Sequence, residues 1–186
     1  MDSLKRFVSV RRESPRQAGV VQMISTLDAY IMGLYPPESN HLLDIEELCA
    51  PEVHFFVARL NGEAVGCGAL RVDPTGYGEL KRMFVRPDVR GRKIGHAILQ
   101  RVEQEAGEMK LLYVRLETGT RQPEALGLYQ SAGYRTIPPF GGYGPDPFSV
   151  FMEKQIGEAN EQGVDVDESS TRRSWELKSK IEIPTL

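Results

Sequence analysis

A short basic loop in the middle of the chain has the residue types that bind phosphate. It joins a strand-like segment to a helical one and consists of Arg90, Gly91, Arg92, Lys93, Ile94 and Gly95. The first amides of a helix lack intrahelical partners and lie at the positive end of the helix dipole. Glycines let the backbone approach an anion closely, and arginine and lysine add charge-assisted hydrogen bonds. The loop therefore predicts a binding site for a polyphosphate ligand.

A local excess of positive charge supports this interpretation. Residues 81–93 contain the single acid Asp88 and six cations, which are Lys81, Arg82, Arg86, Arg90, Arg92 and Lys93. The net charge of the whole chain is only −3, so its overall charge favours neither nucleic acid nor an anionic membrane as a partner. Taken alone, the loop is equally compatible with a solvated basic turn that begins a surface helix. The sequence contains neither of the two common glycine-rich nucleotide motifs, which argues against nucleoside triphosphate chemistry.

Hydrophobic periodicity and turn residues predict alternating strands and helices around this loop. Strands are expected at 7–11, 53–60, 64–72, 77–86, 111–117, 134–137 and 148–154. Helices are expected at 17–35, from Ser39 or Asn40 to Leu48, at 94–107 and at 123–132. Asn61-Gly62 predicts a tight hairpin between the second and third strands. The Pro- and Gly-rich segment 138–147 is long enough to cover a pocket.

Length and composition indicate one catalytic domain. The chain has 186 residues, of which 40% are hydrophobic and 26% charged, as is typical of a soluble globular protein. We expect residues 1–156 to form that domain and 157–186 to form a polar tail, either mobile or docked as a short helix. No apolar run is long enough to span a membrane, and the N-terminus lacks the pattern of a signal peptide. A cytoplasmic location is therefore expected, with Cys49 and Cys67 reduced.

Two blocks of sequence resemble the GNAT acetyltransferase superfamily. One reads Leu-Lys-Arg-Met-Phe-Val-Arg-Pro-Asp-Val-Arg-Gly-Arg at 80–92, and the other reads Leu-Tyr-Gln-Ser-Ala-Gly-Tyr at 128–134. The resemblance covers roughly residues 7–154. It implies an α/β (α+β) fold with a mixed, mostly antiparallel central sheet of six to seven strands, flanked by about four helices. It also implies an N-acetyltransferase that uses acetyl-CoA, holding the pyrophosphate of this co-substrate on the basic loop.

The resemblance implies a set of cofactor-binding residues. These are Met83, Phe84, Val85, Arg90, Gly91, Arg92, Lys93, Ile94, Gly95, His96, Gln122 and Tyr129. The strand residues would line the pantetheine arm, because in the family this strand separates from its neighbour. One departure is Lys93, which replaces the first glycine of the family's loop. We expect a negative φ at Lys93 and an additional phosphate contact from its side chain.

Acyl transfer from a thioester to an amine needs a neutral amine, a polarised carbonyl and a protonated leaving thiol. Glu79 occupies the place where many GNAT enzymes have a glutamate base, acting directly or through water. Substrate anchoring and a plain surface carboxylate remain alternatives for Glu79, and Glu117 is the second candidate for the base. By the same resemblance Tyr129 donates to the departing sulfur, unless it only packs a helix on the sheet. The Val85 amide would polarise the carbonyl, and transfer would be direct, in a ternary complex.

The acceptor is expected to be the primary amine of a small molecule. Predicted contacts with it are Tyr30, Tyr35, Glu38, His41, Glu117 and Tyr143, on the basis of their position alone. The alternatives are a non-catalytic acyl-CoA sensor, a protein-lysine acetyltransferase and a nucleic-acid-binding protein. The histidines show no metal spacing, so no metal is expected. The oligomeric state, including a homodimer, stays open.

Overall fold

Residues 8–157 of the chain are described by a computed structural model. The predicted tail beyond Gly157 lies outside these described residues. Among residues 8–157, no helix combines the length and apolar character needed to cross a membrane.

One seven-stranded sheet forms the centre of the molecule. Its strands are β1 (Val8–Arg12), β2 (Val53–Leu60), β3 (Glu63–Val72), β4 (Tyr77–Val85), β5 (Tyr113–Gly119), β6 (Arg135–Ile137) and β7 (Ser149–Gln155). They lie in the order β1-β2-β3-β4-β5-β7-β6, and every pair is antiparallel except β4 with β5. The α-helices are α1 (Ala18–Leu34), α2 (Ile94–Glu108) and α3 (Pro123–Ser131). The mixed, mostly antiparallel sheet is confirmed.

The helix expected between Ser39 and Leu48 is absent, so the described residues contain three α-helices rather than about four. In its place are two short 3-10 turns, Pro37–Ser39 and Glu47–Cys49. Between these turns, side chains of β4 bind the backbone carbonyls of His41 and Leu43. Both carbonyls are directed at side chains of β4 and not along a helix axis, and these tertiary contacts outweigh the local helical preference.

The core has two layers because β2 is buried on both faces. Phe55 and Val57 face α1, whereas Phe56 faces α2. Alternate side chains of a strand point to opposite sides, so the run of apolar residues in β2 supplies both layers. The hairpin after β2 has the predicted turn, with φ of 51° at Asn61 and 87° at Gly62.

The pairing of β4 with β5 is short, so the two strands separate and leave a space between them. It begins at Tyr77 opposite Tyr113 and ends at Leu80 opposite Leu116. Two residues later, Arg82 has a left-handed φ of 55°, and the register of β3 against β4 shifts at the same level. This β-bulge bends β4, so the two strands separate beyond Leu80.

The side chain of Arg82 holds the bulge in place. It is buried, donates from Nε to the Leu43 carbonyl at 2.8 Å, and forms an ion pair with Asp28 of α1. The contact joins β4 to α1 and to the segment before β2. A buried charge needs such partners, because its desolvation is costly when it is unpaired.

We predict that Asp28→Asn lowers the free energy of unfolding by about 3 kcal/mol, since it leaves the buried Arg82 without its counter-charge. Urea denaturation followed by circular dichroism measures the change. Glu46→Gln is the matched control, because Glu46 pairs with Arg16 on the exposed surface and exposed pairs contribute little. Equal effects of the two variants would contradict a structural role for the Arg82 ion pair.

Candidate active site

A groove of about 380 Å³ lies where β4 and β5 separate. Eleven of the twelve predicted cofactor-binding residues line it: Met83, Phe84, Val85, Arg90, Gly91, Lys93, Ile94, Gly95, His96, Gln122 and Tyr129. The twelfth, Arg92, is exposed and lies outside the groove. Five further residues line the groove: Tyr30, which the sequence had assigned to the acceptor, and Leu27, Glu124, Ala125 and Leu128, which sequence reasoning missed. They come from α1 and α3, whose packing beside the groove has no local sequence signal.

The N-terminus of α2 opens into this groove. The first backbone bond of the helix runs from the Ala97 amide to the Lys93 carbonyl at 3.0 Å. The amides of Ile94, Gly95 and His96 have no such partner among residues 8–157, so they are available to an anion. A Cβ at Gly95 would lie 3.2 Å from the Leu128 side chain. Glycine at this position therefore lets α2 lie close to α3.

The expected negative φ at Lys93 is wrong. Lys93 has a left-handed φ of 59°, as does Gly91 with 76°. The chain reverses direction tightly between the end of β4 and the start of α2, and the left-handed residues produce this reversal. For a lysine this conformation costs about 1 kcal/mol. The Lys93 side chain nevertheless lines the groove.

Only half of the six predicted cations remain available to a phosphate. The other three form ion pairs within the fold: Lys81 with Glu79, Arg82 with Asp28, and Arg86 with Asp88 and Glu63. Arg90, Arg92 and Lys93 are exposed and form no ion pair within residues 8–157. The positive charge of the site is therefore confined to the loop itself.

A smaller cavity of about 100 Å³ lies behind the groove, and we call it the inner cavity. Tyr129 of α3 lines both spaces and is only 5% exposed. Its hydroxyl makes no hydrogen bond within the described part of the chain. Burial, followed by the nearby charge of Glu117, raises the pKa of Tyr129 well above its ordinary value. The phenol is thus a protonated donor between the two spaces.

Glu117 of β5 also lines the inner cavity. The Ser149 hydroxyl of β7 donates to its carboxylate at 2.7 Å. The two cations of the same wall, Lys81 and Arg82, each pair with another acid. Glu117 forms no ion pair with any described residue, so its carboxylate is the uncompensated charge of this cavity.

Glu79 lies in different surroundings. Its carboxylate is 3% exposed and accepts a 2.5 Å hydrogen bond from the Tyr143 hydroxyl. The Lys81 ammonium is 3.4 Å away and the Arg71 guanidinium 3.8 Å away. Glu79 lines a second cavity of about 320 Å³, the outer cavity, and not the inner one. Burial and the Glu79 carboxylate raise the pKa of Tyr143.

The predicted acceptor contacts do not lie together. Tyr35, His41 and Glu117 line the inner cavity, and Tyr143 lines the outer cavity, which His41 shares. Tyr30 lies in the groove instead. Glu38 is exposed and lines none of these three spaces.

Tyr35 closes one side of the inner cavity. Its hydroxyl accepts a 2.8 Å hydrogen bond from the Arg121 amide. A Cβ at Gly119 would lie 2.0 Å from this hydroxyl, so the close approach of Tyr35 requires glycine there. Burial raises the pKa of Tyr35, which keeps the hydroxyl protonated.

Three features together are those of an acyltransferase fold. They are the mixed sheet, the separation of β4 from β5, and the free amides at the start of α2. The family model described as "Acetyltransferase (GNAT) family" matches residues 21–134. The chain belongs to this family.

Relatives and solved structures agree with this assignment. The chain is 51% identical to an IAA acetyltransferase of Azospirillum brasilense, over 80% of this chain and 98% of the relative. It is 35% identical to the N-acetyltransferase YsnE of Bacillus subtilis, over 73% and 93% of the two chains. A crystal structure from Klebsiella pneumoniae, described as an acyl-CoA N-acyltransferase, superposes with a TM-score of 0.69 at 35% identity, covering 81% and 98%.

The protein is therefore an acyl-CoA-dependent N-acyltransferase with acetyl-CoA as co-substrate. The groove fits that molecule, since it has unpaired helix amides and two cations for phosphate at one end and apolar walls beyond. Within residues 8–157, no three side chains of His, Cys, Asp or Glu are grouped to hold a metal ion.

We predict that Lys93→Gly weakens acetyl-CoA binding roughly fivefold, because it removes an exposed cation from the groove while the left-handed backbone remains allowed. Isothermal titration calorimetry measures the affinity. Lys110→Gly is the control, since Lys110 also has a left-handed φ, of 58°, but does not line the groove. An affinity unchanged by Lys93→Gly would show that the side chain makes no useful phosphate contact.

Proposed function

We propose that the protein transfers an acetyl group from acetyl-CoA to the primary amine of a small molecule, by direct attack in a ternary complex. One observation carries the proposal: the uncompensated carboxylate of Glu117 and the protonated hydroxyl of Tyr129 share a cavity that adjoins the groove. A negative charge attracts a protonated amine, and a phenol can serve a departing sulfur. The Azospirillum relative is named an acetyltransferase, which supports acetyl as the transferred group.

Acetyl-CoA supplies the activated acetyl group. In this proposal the amides of Ile94, Gly95 and His96 bind its pyrophosphate, together with Arg90 and Lys93. The backbone of 83–85 lies beyond the last β4–β5 pair, so its polar groups on that side are available to the pantetheine arm. Gln122 has a structural contribution, because its side-chain oxygen accepts from the Gly119 amide at 3.1 Å.

Glu117 is our candidate for the proton acceptor. An alkylammonium has a pKa near that of lysine, about 10, so only roughly one amine in a thousand is neutral at pH 7. Removal of its proton therefore assists attack. Glu79, which the sequence favoured, is already engaged by Tyr143, Lys81 and Arg71. We assign Glu79 to holding this network, and thereby the loop that carries Tyr143.

The amine nitrogen forms the new N–C bond while the C–S bond breaks. The ammonium first gives one proton to Glu117, and the second proton of the nitrogen is relayed through the Tyr129 hydroxyl to the departing sulfur, so that the phenol is protonated again at the end of the step. The Val85 amide is the candidate donor to the thioester carbonyl oxygen. A preorganised donor of this kind acts most strongly where water is excluded.

A small acceptor agrees with the size of the inner cavity, about 100 Å³. Tyr35 and Phe148, whose ring centroids are 6.2 Å apart, stand at its wall.

We also propose a cytoplasmic location. Two unbridged cysteines, Cys49 and Cys67, agree with a reducing compartment.

The test is release of thiol from acetyl-CoA on addition of pooled small primary amines. We predict that Glu117→Gln lowers kcat/KM on the order of 100-fold, because a positioned base is lost, while calorimetry finds acetyl-CoA affinity unchanged. Glu79→Gln serves as the comparison and should affect thermal stability more than turnover. The reverse ranking would identify Glu79 as the base, and acetyl-CoA binding with no amine-dependent release would indicate a sensor.

We predict that Tyr129→Phe lowers kcat roughly 100-fold with little change in KM, because its hydroxyl acts on the leaving group. The pKa of Tyr129 is raised, so the phenol stays protonated at every pH below its ordinary value of about 10. The pH profile of wild-type kcat should therefore show no loss from Tyr129 ionisation up to that pH. Full activity of Tyr129→Phe would reduce Tyr129 to a packing residue.

A further inference from the structure

We propose that the acceptor is an amino carboxylic acid, whose carboxylate binds Arg71 in the outer cavity while its amine reaches Glu117 in the inner one. The inference rests on the proposed function and adds the class of acceptor to it.

Arg71 offers an open guanidinium to the outer cavity. It lies on β3 directly opposite Glu79 of β4. Its Nε is 3.8 Å from the nearer Glu79 oxygen, and its side chain is 41% exposed. The guanidinium makes no hydrogen bond within residues 8–157. A guanidinium has five donors in a planar fork that matches a carboxylate. Here Glu79 is the nearby acid, at 3.8 Å from Nε, and the donors of the fork make no hydrogen bond with a described residue.

The acids beside Arg71 are engaged elsewhere. Glu79 accepts from Tyr143 and lies beside Lys81. Asp73 accepts from the Thr75 amide at 2.8 Å and from the Thr75 hydroxyl at 2.5 Å. These two carboxylates balance the charges of Arg71 and Lys81. The case for a bound carboxylate therefore rests on unused hydrogen-bond donors and not on net charge.

The inner and outer cavities meet at one partition. Both are lined by His41, Leu42 and Lys81. The Lys81 ammonium donates to the His41 carbonyl at 3.1 Å and to the Tyr143 hydroxyl at 2.8 Å. A molecule that extends from Glu117 to Arg71 must pass this ammonium. Because Glu79 pairs with this ammonium, the path is compatible with a carboxylate.

The partition has the means to open. Tyr143 belongs to the segment between β6 and β7, where it stands next to Gly142 and Gly144, and its ring contacts His41 edge-on at a centroid distance of 4.9 Å. In the proposal, movement of Tyr143 releases the Lys81 ammonium, which lines both cavities, and so opens the partition. The outer cavity alone has about 320 Å³, enough for the carboxylate end of a small acid.

The experiment measures thiol release with matched pairs of acceptors. Each pair consists of an amino acid and the amine of the same chain length without the carboxylate, such as 4-aminobutyrate with n-propylamine, and an α-amino acid with its amide. We expect at least one pair in which the carboxylate raises kcat/KM roughly 10- to 100-fold, as for a charged hydrogen-bonded pair.

Arg71→Gln should raise the KM of that acid by a similar factor and leave KM for acetyl-CoA unchanged. Arg71→Lys should restore part of the effect, because it keeps the charge but loses the fork. Arg12→Gln is the matched control: Arg12 also lies 3.9 Å from a buried glutamate, Glu105, with its side chain 52% exposed, but it lines neither cavity. It should leave all constants unchanged.

Two results would overturn the proposal while the acetyltransferase assignment stands. One is that no acceptor pair shows a higher kcat/KM with the carboxylate than without it. The other is a preference for carboxylates that survives in Arg71→Gln. Absence of thiol release with every amine would instead count against the proposed function itself, so the two failures are distinguishable.

Discussion

The site depends on the early end of the pairing between β4 and β5. After Leu80 and Leu116 the strands no longer share hydrogen bonds, and backbone groups that would complete a sheet face a groove instead. The left-handed Arg82 bends β4 at this point, and its buried guanidinium binds the Leu43 carbonyl and Asp28. Unpaired backbone N–H and C=O groups are costly when buried. Where β4 leaves β5 in the interior, such groups therefore favour a ligand that forms hydrogen bonds with them.

The buried charged side chains also need partners. Lys81 and Arg82 lie side by side at the bulge; Lys81 is matched by Glu79 of the same strand and Arg82 by Asp28 of α1. Desolvated ions without partners would be far more expensive. This pairing removes the two cations from the field of the inner cavity and leaves Glu117, held by a neutral serine, as its acid. Glu79 on β4 and Glu117 on β5 are therefore proposed to have different roles because their neighbours differ.

Much of the fold was predictable because its signals are local. The Asn61-Gly62 turn, the alternation in the strands and the helical stripe after Ile94 each depend on nearby residues, and the elements appear within a few residues of their predicted bounds. Long-range contacts decided the rest. No local pattern shows that Leu43 accepts from Arg82, which prevents the expected helix before β2. The backbone of Lys93 was misjudged because loop closure, not side-chain preference, sets its φ.

The groove was identified from sequence because its loop and its strand are contiguous. Choosing between Glu79 and Glu117 was not possible in that way. Glu79 is engaged by Tyr143, which lies 64 residues further along the chain, and Glu117 is held by Ser149 on a later strand. In the sequence, both acids are glutamates within a predicted strand. Only the packed sheet shows that Glu79 has cationic partners and Glu117 has none among the described residues.

The single parallel pair of the described sheet also bears on how the protein folds. Strands β1 to β4 are joined by pairings between consecutive elements, of which β2–β3 and β3–β4 are near neighbours in sequence. The β4–β5 pair must instead wait for the crossover through α2, and such non-local closure is slow. The two walls of the groove come from either side of that crossover. The groove therefore exists only once this non-local pairing is complete, and acetyl-CoA will bind the finished sheet in preference to any partly folded chain, stabilising it by mass action.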